Sequence, residues 1–217
     1  MGNRLRPNKG QCAHITIRCI NKDFFFNLKH DWDDYVSWVD CIPFNFKISL
    51  HHVLFMSNHI HLLVTPQEHV LGDAMRYFLT NLAKFMNHRN GRINHVFANR
   101  YYASIIRKES HLMNVIRYLY QNPVRAGIVE KITDYPYSSL GFYLGYNNYG
   151  LKLYPDSVTK EYWKQTLVGR DEWLKQIQTN YTTVEAGIVK QSLKRRTFRF
   201  SREQLTSIQK HSTTIAI

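Results

Sequence analysis

Acidic residues are scarce in this chain: 16 Asp and Glu stand against 29 Lys and Arg in 217 residues, a net of +13 and a pI near 9.7. So large a deficit of negative charge points to a polyanionic partner, most often nucleic acid. Cysteine is also rare. Cys12, Cys19 and Cys41 are an odd number without zinc-like spacing, which excludes a disulfide framework and fits free thiols in a reducing cytosol. None of the three has the neighbours of a nucleophile. No stretch approaches the ~18 consecutive apolar residues of a membrane span, and Met1-Gly2-Asn3-Arg4-Leu5-Arg6 lacks the apolar segment of a secretory signal. Internal repeats and low-complexity segments are absent as well. What remains, 44% hydrophobic and 21% charged residues, is the composition of an ordinary globular domain with a proper core.

The positive charge is unevenly spread. Residues 188–217 carry seven basic side chains (Lys190, Lys194, Arg195, Arg196, Arg199, Arg202, Lys210) against Glu203, whereas residues 151–187 balance five against five. A basic body, residues 1–150, is thus joined through a neutral segment to a basic tail. The chain divides into one domain over 1–150 and an extension over 151–217.

Hydrophobic periodicity orders the first part. Ala13–Ile20 alternates as a first strand, and Leu28–Ile42 has helical spacing that stops at Pro43. Phe46–Met56 and His59–Thr65 read as two strands joined by a tight turn at Ser57-Asn58. Leu71–His88 follows as a helix with Met75, Phe78, Leu79, Leu82, Phe85 and Met86 on its apolar side, then a turn at Asn90-Gly91. Ala103–Arg107 is a fourth strand and His111–Gln121 a further helix. The order predicts an α+β, ferredoxin-like βαββαβ fold: an antiparallel sheet, helices on one face and the His59 strand central. The extension adds short helices at Thr159–Val168 and Arg170–Gln178, and Ser201-Arg202-Glu203-Gln204 has the spacing of a capping box opening a last one.

One motif carries chemistry. Side chains alternate along a strand, so His59 and His61 project from one side, roughly 7 Å apart, while Ile60, Leu62 and Val64 point into a core. Two imidazoles without a local acid suit a shared metal ion, although such a pair also occurs as satisfied polar residues at a sheet end. The helix ahead of Pro123 turns the balance. Tyr118 and Asn122 lie four apart on one of its faces, so a phenol nucleophile and a neutral amide oxygen stand one turn apart. Tyr120 lies about 200° further round and cannot share that face. An ion held only by neutral ligands keeps its full charge for phosphodiester oxygens. Attack by the phenol displaces a 3′ hydroxyl and leaves a 5′-phosphotyrosine, which a second 3′ hydroxyl can reverse without ATP: strand transfer rather than hydrolysis.

These residues resemble the single-tyrosine HUH (IS200-like) transposases, most of all the REP-associated tyrosine transposases. The resemblance covers roughly residues 10–145 and rests on Met56-Ser57-Asn58-His59-Ile60-His61-Leu62-Leu63, Val96-Phe97-Ala98-Asn99-Arg100-Tyr101, Arg117-Tyr118-Leu119-Tyr120-Gln121-Asn122-Pro123-Val124-Arg125-Ala126-Gly127 and Asp134-Tyr135-Pro136-Tyr137-Ser138-Ser139. It implies that His59, His61 and Asn122 hold Mg²⁺ or Mn²⁺, that Tyr118 is the nucleophile, and that the substrate is single-stranded DNA cut beside imperfect hairpins. It further implies a bacterial, nucleoid-associated cytoplasmic protein, monomeric or homodimeric, with no membrane partner. Ser57 replaces the family's usual proline in the turn without touching a ligand.

Other residues are candidates with a second reading beside them. Arg117 and Arg125 flank the site as phosphate contacts or helix-end partners; Arg100, Arg107 and Lys108 lie near the strand before the catalytic helix as DNA contacts or surface charges. Lys194, Arg195, Arg196 and Arg199, interleaved with Phe198 and Phe200, read as a DNA-backbone arm. His51 and His52 read as structural. Tyr101 and Tyr102 suit base stacking or core packing. A non-catalytic nucleic-acid hairpin binder of the same fold is the alternative function, and a replication-initiator or relaxase nickase shares the chemistry but not the motif order.

Overall fold

The computed structural model describes residues 6–146, 150–164 and 166–212; residues 1–5, where most of the signal-segment reading falls, lie outside the described residues. Four strands, β1 (Ala13–Arg18), β2 (Ile48–Met56), β3 (His59–Pro66) and β4 (Tyr102–Ile105), form one sheet in the order β2-β3-β1-β4. Every neighbouring pair is antiparallel. Helices α1 (Leu28–Asn45) and α2 (Leu71–Arg89) complete the βαββαβ unit. This is the ferredoxin-like arrangement predicted, with the His59 strand inside the sheet.

Alternation along the strands sorts the two faces. Ala13, Ile15 and Ile17 of β1 share a face with Ile60, Leu62 and Val64 of β3, all of them buried. Phe55, paired with Ile60, stacks on Tyr35 of α1 at 5.6 Å, and Tyr35 in turn meets Phe85 of α2. So α1 and α2 cover that face. The opposite face carries His14, Thr16, Arg18, His59 and His61, and against it lies α3 (Glu109–Tyr120). A short helical turn, α4 (Asn122–Arg125), follows with Pro123 in its first positions, so α3 ends before the proline as its missing N–H dictates.

Two local features depart from the reading of the sequence. Pro43 sits inside the last turn of α1 rather than beyond it. Its missing N–H removes one hydrogen bond, to the carbonyl four residues back, and the helix ends two residues later. In β2 the register skips between Leu50 and His52, leaving His51 as an extra residue opposite β3. A bulge of this kind re-aims side chains. His52 here pairs with Leu63 and faces α3.

The extension forms α6 (Ser157–Lys164), α7 (Thr166–Gln178), α8 (Thr183–Leu193) and α9 (Arg202–Ser212), after a short α5 (Leu140–Leu144). Trp173, Ile177, Val189, Leu193 and Phe198 belong to the same buried cluster as the sheet. Two carbonyls at the end of α7 and the two that follow it are met from the end of α3: Gln121 donates to Ile177 and Gln178, and Arg117 to Thr179 and Asn180. The first two are acceptors a helix end otherwise leaves unpaired. Beyond α8 the chain runs beside β4, where Ile105 N–H donates to Arg196 and Phe198 N–H to Ile105. The Ser201 capping box is formed with Gln204, opening α9 as predicted.

Candidate active site

The site is assembled from β3, β1 and the end of α3. His59 and His61 point the same way from β3, their ring centroids 4.9 Å apart. Tyr118 of α3 stands edge-on to His61 at 6.5 Å. Tyr120 is turned away into the interior, where its hydroxyl meets His52 at 2.7 Å and Ser139 at 2.9 Å. Of the two tyrosines only Tyr118 is beside the histidines. Asn122, one turn on, donates through Nδ2 to the Tyr118 carbonyl and accepts at Oδ1 from Arg125 at 2.8 Å. The same guanidinium lies 4.1 Å over the Tyr118 ring, so one cation touches both residues.

Burial controls the charge of this cluster. It lowers the His59 imidazole to about 4, helped by Arg18 and Lys190, and drives His61 well below its ordinary value, helped by His14, His59, Arg125 and Arg18. Both rings are therefore neutral near pH 7, with lone pairs available to a cation. Burial raises the Tyr118 phenol, and Arg125 and Arg18 oppose that rise. The His61 Nε2 atom is buried without a hydrogen-bond partner. An orphaned imidazole nitrogen beside a second neutral imidazole fits a metal ion. Among the described residues no three His, Cys, Asp or Glu gather for a metal; an ion at this pair would take any third protein ligand from another kind of group, such as the amide oxygen of Asn122.

Comparison with known proteins agrees with this architecture. The sequence profile of the family Transposase IS200 like matches residues 9–122, more than half of the chain. The chain belongs to the IS200-like transposase family. A REP-associated tyrosine transposase of Haemophilus influenzae is 31% identical over 98 residues, a stretch covering 40% of this chain and 56% of that relative. A REP-associated tyrosine transposase solved bound to a REP hairpin superposes with a TM-score of 0.56 at 19% identity, covering 71% of this chain and 88% of that one. At that identity the likeness is one of fold.

Within this IS200-like transposase the basic candidates separate. Arg125 is exposed and at the site; Arg117 spends its guanidinium on the end of α7 and stacks 3.8 Å over Tyr181. Arg100 is exposed on a loop whose Ala98 N–H donates to the Arg18 carbonyl. Arg107 lies just beyond β4, along whose edge the Lys194–Arg199 segment runs, with Arg195 donating to the Arg199 carbonyl. His51 and His52 serve structure: His51 bonds Thr65 and the Tyr154 carbonyl, and His52 bridges Asp156 and Tyr120. Tyr101 and Tyr102 are both half-buried; Tyr102 donates to the Lys194 carbonyl, which ties the extension to β4. Four residues near the site were not assigned to it from the sequence. Arg18 lies directly opposite His59, Lys190 of α8 acts on it electrostatically, Asn58 bonds its ring and His14 bonds His61. The β1–β3 register identifies Arg18 and His14, and only the folded extension identifies Lys190.

Proposed function

We propose that this IS200-like transposase acts as a REP-associated tyrosine transposase: it cleaves and rejoins single-stranded DNA beside REP-like hairpins through a 5′-phosphotyrosine. The observation that carries the reading is the meeting of Tyr118 with the His59/His61 pair, while Tyr120 is sealed behind it. His59, His61 and the Asn122 amide oxygen would hold Mg²⁺ or Mn²⁺, which when bound neutralises charge on the phosphodiester and polarises it for attack.

The chain's own residues do the rest. Tyr118 Oη forms a bond to phosphorus as the P–O3′ bond breaks; the phenolic proton leaves to solvent and the departing 3′ oxygen takes one up. About one phenol in a thousand is ionised at pH 7 at an ordinary pKa, and burial makes Tyr118 scarcer still as phenolate. Arg125, over the ring, supplies positive charge where the phenolate develops and binds Asn122 Oδ1 through one lone pair, leaving the other free. Arg18 and Lys190 beside His59 suit the flanking phosphates. Arg100, Arg107 and the Lys194–Arg199 segment would position the hairpin, and such phosphate contacts supply most of the affinity. A cytoplasmic, nucleoid-associated protein follows from that substrate. A monomer suffices, since the residues assigned to the site lie on one chain.

The test is a denaturation-resistant adduct between the protein and a REP-like hairpin oligonucleotide carrying a single-stranded flank. It should need Mg²⁺ or Mn²⁺ and vanish in Tyr118→Phe and His59→Ala, while both variants still bind the hairpin. Hairpin binding by wild type with no metal-dependent adduct would leave a non-catalytic binder instead.

A further inference from the structure

We propose that Asn58 and His14 are positioning residues that fix the tautomers of His59 and His61, so that both rings carry the proton on Nδ1 and present a bare Nε2 to the site. The inference rests on the reading of His59 and His61 as metal ligands and adds what prepares them for that role.

Chemistry decides the Asn58 half outright. Asn58 Nδ2 donates to the Lys22 carbonyl at 3.0 Å, and Asn58 Oδ1 lies 2.6 Å from His59 Nδ1. Turning the amide over would set two carbonyl oxygens against each other. An amide oxygen only accepts, so the proton of this contact sits on His59 Nδ1 and the Nε2 lone pair is free. The acceptor carbonyl is itself held in place. Asn21 and Lys22 adopt φ of 52° and 61°, a left-handed conformation that residues other than glycine seldom take.

His14 does the same for His61. The residues are diagonal neighbours on adjacent strands, since His14 pairs with Leu63 and Thr16 with His61. His14 Nε2 lies 2.9 Å from His61 Nδ1, with the Thr16 hydroxyl at the 3.5 Å limit of a hydrogen bond. One proton is shared between two neutral rings, and two arrangements satisfy the contact. If His14 donates, His61 must carry its proton on Nε2, buried without a partner and within the field of Arg125 and Arg18. If His61 donates, that atom is a lone pair facing the same positive charges, which is the favourable polarity. The cost is an unpaired N–H on His14 Nδ1, which also has no partner. The guanidinium charges select the second arrangement. Partners of this kind on the far nitrogen set both ring orientation and basicity of a ligating histidine, and their loss typically weakens metal binding about 10–100-fold.

Two readouts test the proposal, neither of them activity. Long-range ¹⁵N–¹H NMR of the metal-free wild type reports which ring nitrogen is protonated; Nδ1–H is expected for both His59 and His61. Mn²⁺ affinity, read by electron paramagnetic resonance, should fall about 10–100-fold in His14→Leu and in Asn58→Ala. It should return to within a few-fold of wild type in His14→Gln, which restores an acceptor oxygen. If His14→Leu does not fold, the wild-type spectrum and Asn58→Ala still decide. An Nε2–H tautomer at either ring in a wild type that binds Mn²⁺, or unchanged affinity in His14→Leu and Asn58→Ala, overturns the proposal. Both Nδ1–H tautomers in a wild type that binds no Mn²⁺ would instead sink the metal reading and leave the tautomer assignment standing.

Discussion

His14, His59 and His61 share one sheet face and, unlike His52 on the same face, have no carboxylate beside them, which gives this protein an unusual acid response. His14 is lowered to about 3 and His59 to about 4, each chiefly by burial, from an ordinary value of 6.5. A group whose folded pKa is depressed binds more protons unfolded, so its share of stability is complete above pH 6.5 and drains as pH falls. Urea denaturation with chelator present should therefore show falling stability between about pH 6.5 and pH 4, before most carboxylates titrate; a flat profile there would contradict the burial of these rings. His59, His61 and Tyr118 were legible in the sequence because strand alternation and the four-residue helical step are local rules. His14 was not. It lies 47 positions from His61, and only the β1–β3 register makes them neighbours.

At the scale of elements, the nucleophile helix is held from behind by the extension. Asp156, just ahead of α6, bonds His52 of β2 at 2.8 Å, and His52 bonds Tyr120 of α3. The carboxylate also accepts from Thr159, and these bonds hold the Asp156 carboxyl below its ordinary range despite burial. Both members of the His52–Asp156 pair are almost fully inaccessible. Leaving a buried hydrogen-bonding group without its partner typically costs about 1–3 kcal/mol. Asp156→Ala should lose stability of that order in urea melts and weaken adduct formation by loosening α3; a loss under about 1 kcal/mol would show that the pair does not bind the layers together. The βαββαβ order was readable because each element is long and strictly periodic. Helix α8 was missed although Thr182-Thr183-Val184-Glu185 forms a capping box, a signal as plain as the one read at Ser201. The docking of α7 was hidden for another reason: Arg117 was read as a phosphate contact or a helix-end partner and Gln121 only as part of the Tyr118 motif, and their carbonyl partners lie about sixty residues on.

At the scale of the molecule, positive charge collects in two places. Arg18, Arg125 and Lys190 surround the histidines, and Lys194–Arg199 runs along the β4 edge close to Arg107. The basic tail read from the sequence is thus in part fastened to the sheet: Phe198 is buried and packs against His111. A fixed stripe of cations suits a duplex or hairpin backbone. Changing Lys194, Arg195, Arg196 and Arg199 together to Gln should reduce the slope of log affinity against log salt by up to about 3. Fluorescence anisotropy with a labelled hairpin measures it, and an unchanged slope would remove this edge from the DNA surface. At low salt the same variant should still form adduct, because none of the four residues touches Tyr118.

The chemistry proposed for this site turns on Tyr118, and not Tyr120, taking the DNA. Trapping the adduct on a hairpin oligonucleotide, digesting both protein and DNA, and sequencing the nucleotide-bearing peptide by tandem mass spectrometry tests it directly. The added phosphonucleotide is expected on Tyr118, within the peptide that follows Arg117. A modification on Tyr120, or on any tyrosine outside α3, would contradict it.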